Sequence, residues 1–165
     1  MRILGIDPGL AIVGWGVVEK RGMQCIPVAC GAIRTPAHTR IEDHLLLIAK
    51  DMDTLISKYK PEEMAVEELF FTNNITTGIA VAEARGVILA TAAHHGLRIS
   101  EYTPPQVKQA VVGYGKATKR QVIEMVTALL RLPSPPKPDD TADALAIAYC
   151  HARCASSRIA PYYNN

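Results

Sequence analysis

The sequence has little of several things that would point elsewhere. Four cysteines (Cys25, Cys30, Cys150, Cys154) in 165 residues are too few for a disulfide scaffold, so a reduced, cytoplasmic protein is expected. No apolar run approaches the roughly 18 residues a membrane span needs, and no membrane partner is expected. The opening Met1-Arg-Ile-Leu-Gly-Ile6 is too short for a signal peptide and lacks a small-residue cleavage site. Phenylalanine occurs only twice, at the adjacent Phe70 and Phe71. There is no internal repeat, and the length suits one domain of ordinary size rather than two substantial ones.

What is present is charge divided by region. The net charge is only +2, yet residues 42–83 hold nine acids against three bases, and residues 85–137 hold eight bases against two acids. A basic half suits a phosphate backbone, and an acidic cluster suits a divalent cation.

The hydrophobic pattern predicts three strands at residues 2–7, 12–19 and 23–34, separated by Pro8-Gly9 and Arg21-Gly22. The first is apolar at nearly every position, as a central strand buried on both faces is. Ile41, Leu45, Ile48, Met52, Leu55 and Tyr59 recur at helical steps, predicting a helix over 39–59 that Pro61 ends. Residues 63–67 read as a strand, and 75–95 as a helix with a stripe of mostly small residues (Ile75, Ile79, Ala82, Gly86, Leu89, Ala93). A short strand follows at 98–102, then a helical turn to Val112, a helix around residues 122–130, a proline-rich connector at 132–138 and a last helix over 139–154. This order predicts an α/β domain around one mixed sheet over residues 1–157, with a loosely held tail at 158–165.

Carboxylates stand where such sheets place chemistry. Asp7 ends the first strand, Glu67 and Glu68 end the fourth, and Asp139, Asp140 and Asp143 open the last helix. Ligands of open α/β sheets gather beyond the carboxyl ends of strands. Two like charges about 4 Å apart at an effective dielectric near 20 cost on the order of 4 kcal/mol, which a raised pKa or a bound cation offsets. An all-oxygen set favours Mg²⁺ or Mn²⁺ over zinc. Taken singly, Asp7 reads as a turn residue, Asp139 or Asp140 as a helix cap, and Glu67-Glu68 as a solvated strand end, so spacing alone leaves the ligand set open.

The stretches Leu4-Gly-Ile-Asp-Pro-Gly9, Ala65-Val-Glu-Glu-Leu-Phe-Phe71, Ala84-Arg-Gly-Val87, Gln106-Val-Lys-Gln-Ala-Val-Val-Gly113 and Ala142-Asp-Ala-Leu-Ala-Ile-Ala148 resemble the RuvC Holliday-junction resolvases of the ribonuclease H-like superfamily. They run in the family's order over nearly the whole chain. The resemblance implies a central five-stranded mixed sheet, three antiparallel strands then parallel ones, flanked by helices. It implies that Asp7, Glu67, Asp140 and Asp143 are catalytic and hold two Mg²⁺ per subunit, with Mn²⁺ substituting, and it leaves out Glu68 and Asp139. Some relatives carry histidine where Asp140 stands. It implies paired symmetric nicks in two like strands of four-way junction DNA by metal-dependent hydrolysis, in recombination and repair. By the same likeness Phe70 stacks on or wedges between bases, with Phe71 beside it as the alternative, and Lys108 and Lys119 lie near the scissile strand. Lys116, Arg120 and Arg85 are further DNA-binding candidates. The family acts as a homodimer beside a branch-migration helicase complex, and the 75–93 stripe is the candidate subunit contact.

Two other readings compete. Gly5–Gly9 also resembles the first phosphate loop of actin-like ATPases and sugar kinases, but 165 residues lack the second domain and second loop those need. A related nuclease of the same fold acting on another substrate is the nearer rival. Cys150-His-Ala-Arg-Cys154 has the spacing of a zinc half-site without a second half, and reads better as helix cysteines packed in the core.

Overall fold

Strand β1 (Arg2–Asp7) is buried along its whole middle, because Ile3, Leu4 and Ile6 each lose essentially all solvent contact. Fully burying one such side chain is worth roughly 1.5–3 kcal/mol, which fixes β1 at the centre. In this computed structural model, which describes residues 1–69 and 75–154 except the side chains of 75–77, β2 (Ile12–Arg21) and β3 (Gln24–Arg34) follow as an antiparallel meander. Helix α1 (Ile41–Tyr59) then leads to β4 (Glu63–Glu67), which pairs parallel with β1, and α2 (Ile75–His94) leads to β5 (Arg98–Tyr102), parallel to β4. The sheet order is β3-β2-β1-β4-β5. Helices α3 (Pro104–Val112), α4 (Lys119–Leu129) and α5 (Asp139–Cys154) complete the chain. The five-stranded mixed sheet is the one expected from the sequence. Phe70, Phe71 and the 158–165 tail lie outside the described residues.

Alternation along the strands builds two cores. Leu4, Ile6, Met64 and Val66 face Ile48, Met52 and Ile56 of α1 and Ala84, Ile88 and Ala92 of α2. Ile3, Ala65 and Tyr102 face the other way, toward α3, α4 and α5. Asp7 and Glu67 share the parity of Ile3 and Ala65, so both lie on the α5 side of the sheet. Of the α2 stripe read as the candidate subunit contact, Leu89 packs against the first of these cores. Ile79, Gly86 and Ala93 are exposed, and the buried face runs one step over through Ala84, Ile88 and Ala92.

Candidate active site

Parallel pairing sets the first two acids. Ile6 is opposite Val66, so Asp7 and Glu67 come next in line at the carboxyl ends of adjacent strands. Helix α5 brings the others. Its first turn carries Asp139 and Asp140, acids that suit the positive end of a helix, and Asp143 follows on the same side. The Thr141 hydroxyl donates to the Gly31 carbonyl oxygen at 3.1 Å and ties that first turn to β3.

Two capping boxes deliver the lysines. Thr103 and Gln106 cap α3, which carries Lys108, and Thr118 and Gln121 cap α4, which opens on Lys119. A cation in a helix's first turn opposes the helix dipole by roughly 0.3–1 kcal/mol, so local propensity does not explain Lys119. Its partner does: Nζ stands 3.0 Å from Asp143 Oδ2 and 4.0 Å from Asp139 Oδ2. Glu67, Lys108, Lys119 and Asp143 line one cleft of about 230 Å³, floored by Val107, Val122, Ala146 and Ile147.

The electrostatics follow from this crowding. Burial, and then the charges of Glu67, Asp143 and Asp140, push the Asp7 carboxyl up to about 8, with Lys119 opposing. Burial and the nearby Asp143 raise Glu67 above the usual carboxylate range, while Lys108 and Lys119 pull it down. Asp143 is raised by burial, against the bond from Lys119. Desolvation lowers the Lys119 ammonium, but its bond to Asp143 and the surrounding acids outweigh this and raise it. One ammonium thus opposes the raising of all three carboxyls, Asp7, Glu67 and Asp143.

The donor chemistry fits a hard divalent cation, since every candidate ligand is a carboxylate oxygen. Among the described residues no three Asp, Glu, His or Cys side chains are arranged to enclose an ion.

The remaining candidates divide. Lys116 is exposed in the α3–α4 connection, and Arg120 is exposed with its guanidinium 3.5 Å from Glu124 one turn on. Arg85 is only 14% exposed: Nε donates to the Glu67 carbonyl oxygen at 3.3 Å, and Nη2 pairs with Glu101. Sequence reading placed Arg85 among bases facing DNA and did not see its tie to Glu67. His151, in the apparent zinc half-site, is buried between Glu63 (Nε2 to Oε2, 2.5 Å) and the Tyr102 hydroxyl (2.8 Å to Nδ1). Cys150 is buried and Cys154 half-buried.

A mixed sheet ordered β3-β2-β1-β4-β5, with acids at the ends of β1 and β4 and at the start of α5, defines a ribonuclease H-like domain. The profile of the family described as crossover junction endodeoxyribonuclease RuvC matches residues 3–151. The chain is 57% identical over 152 residues to the crossover junction endodeoxyribonuclease RuvC of Desulfitobacterium hafniense (strain DSM 10664 / DCB-2), covering 92% of each. It superposes on Thermus thermophilus RuvC with a TM-score of 0.87 at 34% identity, covering 94% of this chain and 96% of that one. With T. thermophilus RuvC in complex with Holliday junction substrate the TM-score is 0.88 at 35% identity, covering 94% of each. The chain belongs to the RuvC family of crossover junction endodeoxyribonucleases.

Proposed function

We propose that this chain resolves Holliday junctions, nicking two like strands symmetrically by metal-dependent phosphodiester hydrolysis in recombination and repair. The observation that carries the site assignment is the convergence of Asp7, Glu67 and Asp143 beside one lysine cleft, where burial raises all three carboxyls. Asp7, Glu67, Asp140 and Asp143 are the proposed catalytic and metal ligands, two Mg²⁺ per subunit with Mn²⁺ as substitute. When bound, such cations activate water and stabilise the leaving oxygen. Lys119 neutralises Asp143 until DNA and cation arrive, then turns its half-exposed ammonium to a phosphate. Lys108, in the same cleft, contacts the scissile strand. Lys116 and Arg120 extend this positive edge along the backbone, each contact adding salt dependence.

Three assignments rest on the family likeness: Phe70 or Phe71 as the base-stacking wedge, a branch-migration helicase complex as partner, and a cytoplasmic location. Among the described residues no helix is long and apolar enough to cross a membrane. The domain is taken as residues 1–157. A homodimer relates two such sites by a two-fold axis, as symmetric nicking requires. The exposed face of α2, with Ile79 at 52% exposure, is the surface we assign to it.

The test is cleavage of a labelled four-way junction beside linear duplex and an RNA–DNA hybrid of matched sequence. Paired nicks on the junction alone, abolished by EDTA, support the proposal. Equal cutting of duplex or hybrid removes the junction specificity and leaves a nuclease of the same fold.

A further inference from the structure

Gly14 of β2 lies opposite Asp7 in the β1–β2 register, and it also lies directly beneath the first turn of α5. A Cβ there would overlap the carbonyl oxygen and carbon of Asp140 and come within 3.0 Å of the Asp140 Cβ. Those are chiefly backbone atoms, which cannot swing aside as a side chain does. Glycine inside a strand costs roughly 0.5–1 kcal/mol relative to alanine. Backbone freedom does not explain it here, because Gly14 has no left-handed φ, unlike Gly22, Gly96 and Gly113. Close approach does. Gly5 continues the contact further along α5, where a Cβ would overlap the Ala144 carbonyl oxygen and stand 2.8 Å from the Ala148 Cβ. The helix is therefore seated at backbone distance on β1 and β2, with its acidic turn at the Gly14 end.

We propose that Gly14 is a positioning residue for the reaction: by holding the first turn of α5 at backbone distance from β2, it sets the separation between Asp7 and Asp140. The inference rests on the reading of these acids as cation ligands. A side chain at position 14 forces the Asp140 end of α5 away from the sheet while Gly5 still seats its middle. The helix tilts, and the α5 acids part from Asp7. A misplacement of about 1 Å in a catalytic group can cost on the order of a hundredfold in rate.

Gly16 supplies the comparison. A Cβ there meets chiefly the buried Leu145 side chain, 2.7 Å from Cδ2 and 2.8 Å from Cγ, with its Cα at 3.2 Å, so the strain falls on the core beyond the acidic turn. Manganese binding to the metal-free protein, read by electron paramagnetic resonance, is measured for wild type, Gly14→Ala, Gly16→Ala and Asp7→Asn. Junction binding in EDTA and cleavage are measured alongside. Gly14→Ala should weaken Mn²⁺ binding at least tenfold and slow cleavage about a hundredfold, with junction binding unchanged. Gly16→Ala should lose thermal stability while keeping wild-type Mn²⁺ affinity. Wild-type Mn²⁺ affinity in Gly14→Ala, or equal weakening in both glycine variants, overturns the inference. Unchanged Mn²⁺ binding in Asp7→Asn instead overturns the ligand reading beneath it. Should Gly14→Ala fail to fold, Thr141→Val decides. Loss of its bond to Gly31 frees the same turn and should weaken Mn²⁺ binding about threefold, with Thr141→Ser restoring it. No change in Thr141→Val then overturns the inference.

Discussion

The Lys119 ammonium stands 3.0 Å from Asp143 Oδ2, joining the first turn of α4 to the acidic end of α5. Neither helix explains the pair alone. Lys119 sits where its helix disfavours a cation, and Asp143 sits where burial and neighbouring acids disfavour an anion. The contact relieves both.

Removing the ammonium exposes that dependence. Lys119→Met should destabilise the metal-free protein by about 1 kcal/mol at pH 8, the size expected for a half-exposed pair. At a pH low enough to protonate Asp143 the difference should vanish. Urea unfolding at the two pH values checks this, and an equal loss at both contradicts the pairing.

Asp7 gives a pH dependence of definite sign. Its carboxyl is held near 8 in the fold against 3.8 as the unperturbed value. Between those values the unfolded chain releases the proton and the folded chain keeps it. The resulting stability is fully present below about pH 4 and is lost as pH rises toward 8. Asp7→Asn removes the titration and should stabilise the metal-free protein at pH 8 by roughly 2 kcal/mol or more, while abolishing cleavage and sparing junction binding. Thermal melts from pH 5 to 8.5 decide it. A destabilised variant at pH 8 shows Asp7 to be a structural residue.

Arg85 separates positioning from DNA contact. Its guanidinium ties α2 to the Glu67 carbonyl at the end of β4 and to Glu101 on β5. Arg85→Met should cost about 1 kcal/mol of stability, by removing the hydrogen bond to the Glu67 carbonyl and the pair with the half-exposed Glu101. Cleavage should fall further than junction binding, and the salt dependence of binding should stay unchanged. A salt slope smaller by about one unit would instead mark a phosphate contact.

The buried triad of Glu63, His151 and Tyr102 has a structural prediction. With the Nε2 proton directed to Glu63, Nδ1 accepts from the Tyr102 hydroxyl. Tyr102→Phe leaves that nitrogen unmet and should cost about 1–2 kcal/mol with cleavage per folded molecule preserved. A loss of cleavage out of proportion to stability would tie Tyr102 to Glu67, its neighbour in the β4–β5 register.

Much of this was legible in the sequence, because the relevant signals are local. The apolar run of β1 and the step pattern of α1 are set by neighbours within a few residues, and the elements formed where the pattern put them. Asp7, Glu67 and Asp143 stood out because each marks the end or the first turns of an element. What stayed hidden depends on pairs far apart in the chain. Gly14 looks like any strand glycine until α5 lies over it, more than 120 residues later. His151 looked like half a zinc site because its partners are 88 and 49 residues away. The α2 stripe was legible only in part, with Ile79, Gly86 and Ala93 exposed but Leu89 packed on the core, since alanine and glycine on both faces leave the helical period with little contrast.

The most direct test of the account is a manganese anomalous difference map from crystals of the chain grown at pH 8. A peak bounded by the Asp7, Glu67 and Asp143 carboxylates, with Lys119 moved off Asp143, is the predicted result. Manganese found only at exposed surface acids, with the Lys119–Asp143 bond intact, would contradict it.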